Sequence, residues 1–313
     1  MSECHWCLSP SIEVLCGAVI APWIQGEHES KVASQERLSE YCRCNSCGLH
    51  FFSKRFTESQ LEMMYSHYRD EKYQKRRQRF EPWYTKKVNF GIGNSQEIIA
   101  LRKANLLRLV NLAFTNGMIA LPRSIVDWGG DQGQFIPDFK HAPNKLVYEV
   151  SNVAPISGVN RTSSIEGIKA VNPDFIMICH VLEHDHLARE TVNTISELLP
   201  ENGLLYIEVP DDRISVTPKH RASVRRQRFL LNHKLLFIVL DAYSLLTLRI
   251  LKKRMPFQIL KQSEHVNFFS PDSIVMVMES LGFELIEESR YSMSEKVSSG
   301  VSHAYGVLMK KIK

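Results

Sequence analysis

The sequence has little excess of charge of either sign. Its 39 lysine and arginine residues against 34 aspartate and glutamate residues give a formal net charge of +5 over 313 residues. A balance this mild permits nucleic acid or an anionic substrate as a ligand but demands neither. With 44% hydrophobic residues, the chain can build one full α/β core and a small additional domain.

Long uninterrupted hydrophobic runs are also missing. A membrane-spanning helix needs roughly 20 apolar residues, and the most apolar stretch, residues 229–254, is interrupted by His233, Lys234, Asp241 and Arg249. We interpret this stretch as a lid or dimer helix. Because basic residues flank it, contact of residues 222–254 with an anionic membrane surface is the alternative. The start MSECHWCLSP has neither the basic nor the apolar region of a secretory signal, so we expect a cytoplasmic protein.

Seven cysteines have to be explained in a reducing compartment, where metal binding is the usual reason for closely spaced pairs. The segment CHWC contains Cys4 and Cys7, and the segment CNSC contains Cys44 and Cys47. Four thiolates on two tight turns can close a tetrahedral structural zinc site that has no open position. We therefore predict a zinc ribbon with these four ligands, although Cys42 lies close enough in sequence to compete.

Short apolar runs alternate with helical patterns through the middle of the chain. The runs SIVDW, KLVYEV, DFIMICHVL and GLLYIEV are separated by helical stretches such as ARETVNTISELL. This alternation is typical of βαβ units and predicts an α/β fold with a mostly parallel sheet. Near the end of the chain, Ser270 and Pro271 start a helix, Gly282 ends it, and two further strands add an antiparallel edge.

Three segments follow from these patterns. We expect a zinc-ribbon segment at 1–56, a helical linker or substrate cap at 57–105, and the large α/β domain at 106–313 with a helical insertion at about 213–262. Residues 57–87 are predicted to form a helix with Thr57 as its N-cap. A second helix, SQEIIALRKANLLRLVNLAF, is predicted to pack on the sheet through Ile98, Leu101, Leu106, Leu109 and Leu112.

The stretch IVDWGGDQGQF, residues 125–135, is a candidate cofactor turn, because glycines between a strand and a helix let the backbone approach a ligand closely. Its glycines are Gly129, Gly130 and Gly133. Glu149 ends the next strand about 20 residues on, where a carboxylate can accept both hydroxyl groups of a ribose. The acidic residues Asp127 and Asp131 disfavour a polyanion at this turn and suit a ligand that carries an ammonium or sulfonium group.

Several segments together resemble the class I S-adenosylmethionine-dependent methyltransferases, and the resemblance covers most of the chain. They are DWGGDQGQF, YEVS, ICHVLEHDHLARETVNTISELLPENGLLYIEVPD and EHVNFFSPDSIVMVMESLGFE. The most similar group is bacterial, carries an N-terminal zinc-binding segment and includes sugar C-methyltransferases. In the family's acidic-x-Gly-x-Gly-x-Gly motif, Asp127, Gly129 and Gly133 match, and Asp131 takes the place of the middle glycine. Aspartate tolerates a left-handed backbone, so we expect the turn to survive.

The resemblance implies a Rossmann-like sheet of seven strands and a set of residues that bind S-adenosylmethionine. The loop residues would face the methionine part, Glu149 would hold the ribose, and residues after the third and fourth strands would lie near adenine and along the pocket floor. The full cofactor-binding set is Asp127, Gly129, Gly130, Gly133, Glu149, Ser164, Ile165, Cys179 and His180.

Methyl transfer from a sulfonium is an in-line displacement in which the protein positions the acceptor and removes its proton. Two Glu-His pairs are candidates for this chemistry: Glu183 and His184 in HVLEH, and Glu264 and His265 in SEHVNFF. The resemblance implies that His184 is the general base of a sugar C-methylation and that Glu264 and His265 form a second active-site pair. Gln262 stands where a tyrosine is often found in that group.

The expected acceptor is a small molecule, most simply a nucleotide-linked or lipid-linked sugar whose diphosphate would meet the basic clusters. RNA is the alternative acceptor, because one rRNA-modifying group also has a zinc ribbon before this fold. The basic clusters at 75–79 and 219–228 lack interleaved aromatic residues, which argues against RNA. A third hypothesis is a protein that binds the cofactor without catalysis.

Overall fold

The structure is a computed structural model that describes residues 3–24, 37–65, 68, 70–82, 84–91, 95–139, 142–151, 153–214, 226–227, 229–230, 233–251, 259–295 and 300–313. The chain divides into two compact units, each assembled from separate stretches of sequence. The first unit comprises Met1–Cys4, Leu8–Thr85 and Arg213–Phe268, and the second comprises His5–Cys7, Lys86–Asp212 and Phe269–Lys313. The domain boundaries expected from the sequence remain predictions.

The first unit contains a five-stranded sheet. Its strands are β1 (Ile12–Ile20), β2 (Leu38–Cys44), β3 (His50–Phe52), β9 (Lys261–Gln262) and β10 (Asn267–Phe268), in the order β10-β3-β2-β1-β9. Strands β1, β2 and β3 form an antiparallel meander, β10 pairs antiparallel with β3, and β9 pairs parallel with β1. Strands from both ends of the unit's sequence therefore complete one sheet, which holds Glu264 and His265 between β9 and β10.

Among the described residues, helices of the first unit include α1 (Glu58–Tyr65), α2 (Glu71–Phe80) and α7 (Lys234–Leu251). The sequence predicts one helix over residues 57–87, whereas the structure has two helices in this range within the first unit. The reason is local: the Asp70 side chain accepts a hydrogen bond from the Tyr73 N–H at 2.9 Å and starts a new helix. Thr57 caps α1, as predicted, by accepting from the Gln60 N–H at 3.3 Å.

The second unit contains a seven-stranded sheet. Its strands are β4 (Ser124–Trp128), β5 (Asn144–Tyr148), β6 (Asn160–Thr162), β7 (Phe175–Cys179), β8 (Leu204–Pro210), β11 (Phe283–Glu295) and β12 (Gly300–Lys311). The order is β11-β12-β8-β7-β4-β5-β6. Strands β4 to β8 pair in parallel, and β12 runs antiparallel to both of its neighbours. The predicted mostly parallel sheet with an antiparallel edge hairpin is confirmed.

This sheet follows directly from the apolar runs of the sequence. Every residue of β4 and of β8 is buried, as expected for strands covered on both faces. The strand order reverses at β4, where β5 lies on one side and β7 on the other. Ligands of open α/β sheets bind outside the carboxyl ends of the strands at such a reversal. The residues that follow β4, β5 and β7 are therefore candidates for ligand binding.

The helices of the second unit are α3 (Lys86–Gly91), α4 (Gln96–Thr115), α5 (Ile165–Val171), α6 (Ala188–Leu198) and α8 (Pro271–Ser280). Helix α8 begins and ends as predicted, with a capping box at Ser270 and a left-handed Gly282 at φ +84°. The predicted packing face of α4 is partly wrong. Leu101 and Leu112 are 38% and 40% exposed, because the helical period turns them away from the buried side. Arg102 lies on that buried side.

Candidate cofactor and catalytic site

The turn after β4 has the backbone that the sequence predicts. Gly129, Asp131 and Gly133 have φ angles of +67°, +54° and +74°, so every second residue is left-handed. Aspartate at the middle position therefore adopts the conformation that glycine adopts most easily. The expectation that Asp131 preserves the turn is confirmed.

Close packing explains why the flanking positions are glycine. A Cβ atom on Gly129 would lie 2.7 Å from Cγ2 of Val181, and a Cβ atom on Gly133 would lie 2.9 Å from Cγ1 of Val159. Both positions also have a left-handed φ, which strains any other residue. The turn is thus pressed against the loop after β7 and the segment before β6, and its backbone can adopt this path only with glycine at these two positions.

Asp127, the fourth residue of β4, is fully buried beneath the turn. Neither carboxylate oxygen has a hydrogen-bond partner among the described residues. A Cβ atom on Gly130 would lie 2.2 Å from Oδ2 of Asp127, so the carboxylate sits directly under the glycine backbone. Burial raises the pKa of Asp127 to about 7. A buried acceptor without a partner is expensive, and a cationic group placed beside it would remove that cost.

Glu149 follows β5 directly and lies beside the turn. Its carboxylate accepts hydrogen bonds from the backbone N–H groups of Asp131, at 3.2 Å, and Ser151, at 2.8 Å. These bonds fix the carboxylate in place. Because a carboxylate offers about four acceptor positions, two remain for other donors, as the predicted ribose contact requires.

A buried ion pair lies near the carboxyl end of the parallel strands. Nε of Arg102, from α4, is 2.6 Å from Oε1 of Glu208, from β8, and both side chains are buried. The hydroxyl groups of Tyr206 and Tyr291 donate to Oε2 of Glu208 at 2.8 and 2.6 Å. Burial alone would raise the pKa of Glu208, but Arg102 and His180 hold it well below its usual range. This carboxylate is therefore ionised and fully satisfied.

Arg102 is a residue that the sequence interpretation missed. Its guanidinium stacks on the Phe135 ring, 3.6 Å from the ring centroid, two residues after Gly133. Its Nη2 atom is buried without a hydrogen-bond partner among the described residues. This nitrogen can therefore donate a hydrogen bond to a ligand on the same side of the sheet as the carboxylate of Asp127.

His180 is the first residue after β7. It is left-handed, with φ +57°, and its ring lies between two buried carboxylates: Nδ1 is 3.2 Å from Oε1 of Glu183, and Nε2 is 3.3 Å from Oε1 of Glu208. Burial and Arg102 lower the pKa of His180, but the two neighbouring glutamate carboxylates outweigh them and raise it. The ring thus lies between two carboxylates and follows the partly buried Cys179, whereas its place in the floor of a cofactor pocket remains a prediction.

The region predicted to lie near adenine follows β6. The Ser164 hydroxyl accepts a hydrogen bond from the Gly167 N–H at 3.1 Å and caps α5, of which Ile165 is the first residue. The rings of Trp128 and Tyr148, at the ends of β4 and β5, contact each other in a tilted arrangement with centroids 4.5 Å apart. The structure therefore gives Ser164 a local structural role, whereas its contact with the cofactor remains a prediction.

The first predicted catalytic pair lies in the second unit. Glu183 and His184 belong to the loop that follows β7, at the carboxyl end of the parallel strands, with Glu183 buried and His184 partly exposed. The His184 N–H donates to the Val181 carbonyl oxygen at 2.9 Å, which closes a tight turn. Val181 of the same loop lies against Gly129 of the glycine turn.

The second predicted pair lies in the first unit, in the link between β9 and β10. Glu264 is anchored from α2: the Arg77 Nη1 atom donates to its Oε2 at 3.0 Å, and the Tyr73 hydroxyl donates to its Oε1. Arg77 also lies 4.0 Å from the Tyr84 ring centroid. Neither Tyr73 nor Arg77 was predicted as a site residue, because their partner lies 191 and 187 residues away along the chain.

Three predicted zinc ligands meet in the first unit. The Sγ atoms of Cys4, Cys44 and Cys47 lie within 4.8 Å of one another, and those of Cys4 and Cys47 are 3.8 Å apart. Each C-x-x-C segment forms a tight turn, closed by hydrogen bonds from the Leu8 N–H to the Cys4 carbonyl and from the Gly48 N–H to the Cys44 carbonyl. Three thiols this close together could hold a metal ion.

A family profile described as "Methyltransferase domain" matches this chain. The strand order of the second unit and the left-handed turn after β4 are consistent with that match. That profile matches residues 65–288, more than half of the chain. The chain belongs to this family. It is a class I S-adenosylmethionine-dependent methyltransferase.

Solved methyltransferase structures match this chain with low sequence identity and low TM-scores. Magnesium protoporphyrin IX methyltransferase from Synechocystis PCC 6803 has 11% sequence identity and a TM-score of 0.36, with 72% of this chain and 86% of that chain covered. The N-methyltransferase NodS from Bradyrhizobium japonicum WM9 has 12% identity and a TM-score of 0.38, with 70% and 99% covered. No protein with a curated function matches the sequence.

The residues of the turn fit the methyltransferase cofactor. S-adenosylmethionine carries a sulfonium, an ammonium and a carboxylate. Within the described part of the chain, the buried carboxylate of Asp127 and one guanidinium nitrogen of Arg102 have no hydrogen-bond partner and are available to such a ligand. Glu149 keeps acceptor positions for hydroxyl groups. When bound, the cofactor supplies the electrophilic methyl group, and the protein provides orientation and a dry, charged floor.

Proposed function

We propose that this methyltransferase methylates a nucleotide-linked or lipid-linked sugar and uses His184 as the general base. The observation that carries the proposal is that Glu183 and His184 lie in the loop directly after β7, and that Val181 of this loop lies against Gly129 of the glycine turn. A base there can remove a proton from an acceptor that faces the methyl group. The resemblance of HVLEH and SEHVNFF to sugar C-methyltransferases supports the sugar class.

The cofactor roles are part of the same proposal. Asp127 accepts the ammonium group, Gly129, Gly130 and Gly133 form the cradle, and Glu149 accepts the ribose hydroxyls. His180 and Cys179 line the floor, and Ser164 and Ile165 border the adenine. The Glu264 and His265 pair serves the acceptor, and the clamp of Arg77 and Tyr73 on Glu264 supports a fixed geometry for that pair.

The acceptor class can be tested directly. The full-length protein is incubated with S-adenosylmethionine and a panel of nucleotide-linked sugars, including keto-sugars, and S-adenosylhomocysteine is quantified with the mass of the sugar product. We expect turnover that depends on the sugar and a methylated sugar product. Turnover only with bulk RNA, together with RNA binding that weakens steeply as salt rises, would show that the sugar assignment is wrong.

We also propose that Cys4, Cys7, Cys44 and Cys47 bind a structural zinc ion. Four thiol ligands on two tight turns match the closed tetrahedral site that stabilises small zinc ribbons. The proximity of Cys4, Cys44 and Cys47 supports this, and Cys7 lies on the same turn as Cys4.

Metal analysis of the purified protein is expected to give about one zinc per chain. The variant Cys44→Ser should lose the metal, because three thiolates leave one coordination position open. Cys16→Ser is the matched control, since Cys16 lies on β1 outside the group of four, and it should keep the zinc. Metal-free wild-type protein purified without chelators would contradict the proposal.

A further inference from the structure

Helix α7 (Lys234–Leu251) carries an exposed apolar face. Leu235, Ile238, Val239, Leu246 and Ile250 are 81%, 52%, 63%, 59% and 65% exposed. At 100° per residue these side chains fall on one side of the helix, within a stripe roughly 120° wide. Folded proteins rarely expose contiguous apolar patches of this extent without a binding role.

The opposite side of α7 already anchors the helix in the first unit. Asp241 forms an ion pair with Nζ of Lys261 at 3.1 Å, and the Ser244 hydroxyl accepts a hydrogen bond from the Ile259 N–H at 2.8 Å. Phe237 and Leu240 pack against a buried apolar cluster that includes Ile259. The buried side is enough to position the helix, so the exposed stripe is not needed for this packing.

The sequence that contains and flanks this helix has a strong excess of positive charge. Residues 219–254 contain ten lysines and arginines and one acidic residue, Asp241, a formal net charge of +9 (10 − 1). The rest of the chain then has a net charge of −4 (+5 − 9). The basic residues are Lys219, Arg221, Arg225, Arg226, Arg228, Lys234, Arg249, Lys252, Lys253 and Arg254. The single acidic side chain is paired with Lys261, so it does not offset them.

We propose that α7 docks this methyltransferase on the surface of an anionic lipid bilayer. The aliphatic stripe would enter the boundary between headgroups and acyl chains, and the basic residues in and around the helix would meet lipid phosphates. The helix lies in the plane of the interface: among the described residues, no helix is long and apolar enough to cross a membrane.

Charge favours lipid over two other occupants of the stripe. A second copy of the chain docked through α7 in a two-fold contact would bring two segments of charge +9 together, which is repulsive. RNA would meet the basic residues but not the aliphatic side chains, because single-stranded RNA is bound by stacking on aromatic rings. An anionic bilayer satisfies both the apolar and the basic features. This inference does not depend on the identity of the methyl acceptor.

Sedimentation with lipid vesicles tests the inference. Full-length protein is mixed with phosphatidylcholine vesicles that contain about 30% phosphatidylglycerol, or with phosphatidylcholine alone. We expect binding to the anionic vesicles, weakened by salt, and little binding to the neutral ones. Equal binding to both kinds of vesicle, or none to the anionic ones, would overturn the proposal.

A paired substitution separates the helix from general charge effects. The double variant Val239→Gln, Leu246→Gln should lower the partition coefficient on anionic vesicles at least about tenfold, with an unchanged thermal unfolding midpoint because both side chains are exposed. Leu112→Gln, at a 40% exposed position of α4, is the control and should bind as wild type. Retained lipid binding by the double variant would overturn the proposal. So would a wild-type dimer that this variant converts to monomer without any lipid binding.

Discussion

Replacing His184 with asparagine is expected to lower kcat for methyl transfer about 10²- to 10⁴-fold, the usual contribution of a positioned general base. The histidine lies in the loop after β7, at the carboxyl end of the parallel strands. Its removal leaves the glycine turn and the ion pair beneath it intact, so the Kd for S-adenosylmethionine should stay unchanged. Calorimetry for binding and S-adenosylhomocysteine release for turnover provide the two measurements.

The control lies two residues away in the same loop. His186 is partly exposed, as His184 is, and His186→Asn should leave kcat within about twofold of wild type if only His184 removes a proton. The pH profile gives a second readout, because loss of a base removes the acidic limb of kcat whereas a packing defect lowers the whole curve. Full turnover by His184→Asn would show that another group is the base.

Asp127→Asn is expected to stabilise the cofactor-free protein at pH 8 and to weaken S-adenosylmethionine binding about 10- to 100-fold, the effect of losing a charge-assisted hydrogen bond. Burial raises the pKa of Asp127 from 3.8 to about 7. The folded state therefore binds more protons than the unfolded state between these values, and stability falls as pH rises through this window. The full difference between these two pKa values corresponds to a loss of about 4 kcal/mol in the free energy of unfolding, as an upper bound.

Unfolding in urea at several pH values measures this effect. The advantage of Asp127→Asn over wild type should be absent near pH 4, grow as pH rises and level off above about pH 7. Asp131→Asn is the matched control: asparagine also tolerates the left-handed backbone, and Asp131 is only partly buried. It should leave the pH dependence of unfolding as in the wild type. Wild-type affinity in Asp127→Asn would contradict a contact between Asp127 and the ammonium group.

The backbone of the cofactor turn was predictable because its causes are local. Asp131 and the glycines on either side adopt left-handed φ angles that follow from residue type, and the apolar run before them is a fully buried strand. The start of α8 at Ser270 and Pro271 was predictable for the same reason, since caps act within one helical turn. These features depend on neighbours a few residues apart.

The floor beneath the turn was not predictable in the same way. Arg102 is an arginine within an amphipathic helix, yet it is buried because Glu208, on a strand 106 residues later, neutralises it. Likewise, Tyr73 and Arg77 lie in a helix rich in charged residues, and only the tertiary fold brings them into contact with Glu264. No periodic pattern encodes such a partner, and a buried charge is tolerable only once its partner is in place.

The sequence by itself determined the α/β sheet, the methyltransferase family and the glycine turn with aspartate at its centre, because periodicity, glycine backbone freedom and short motifs act over a few residues. Tertiary structure alone decided which charged groups are buried: the carboxylate of Asp127 without a described partner, Arg102 paired with Glu208, and Glu264 held by α2. The physical reason is that a charge leaves water only where distant strands and helices supply its partner or enclose it.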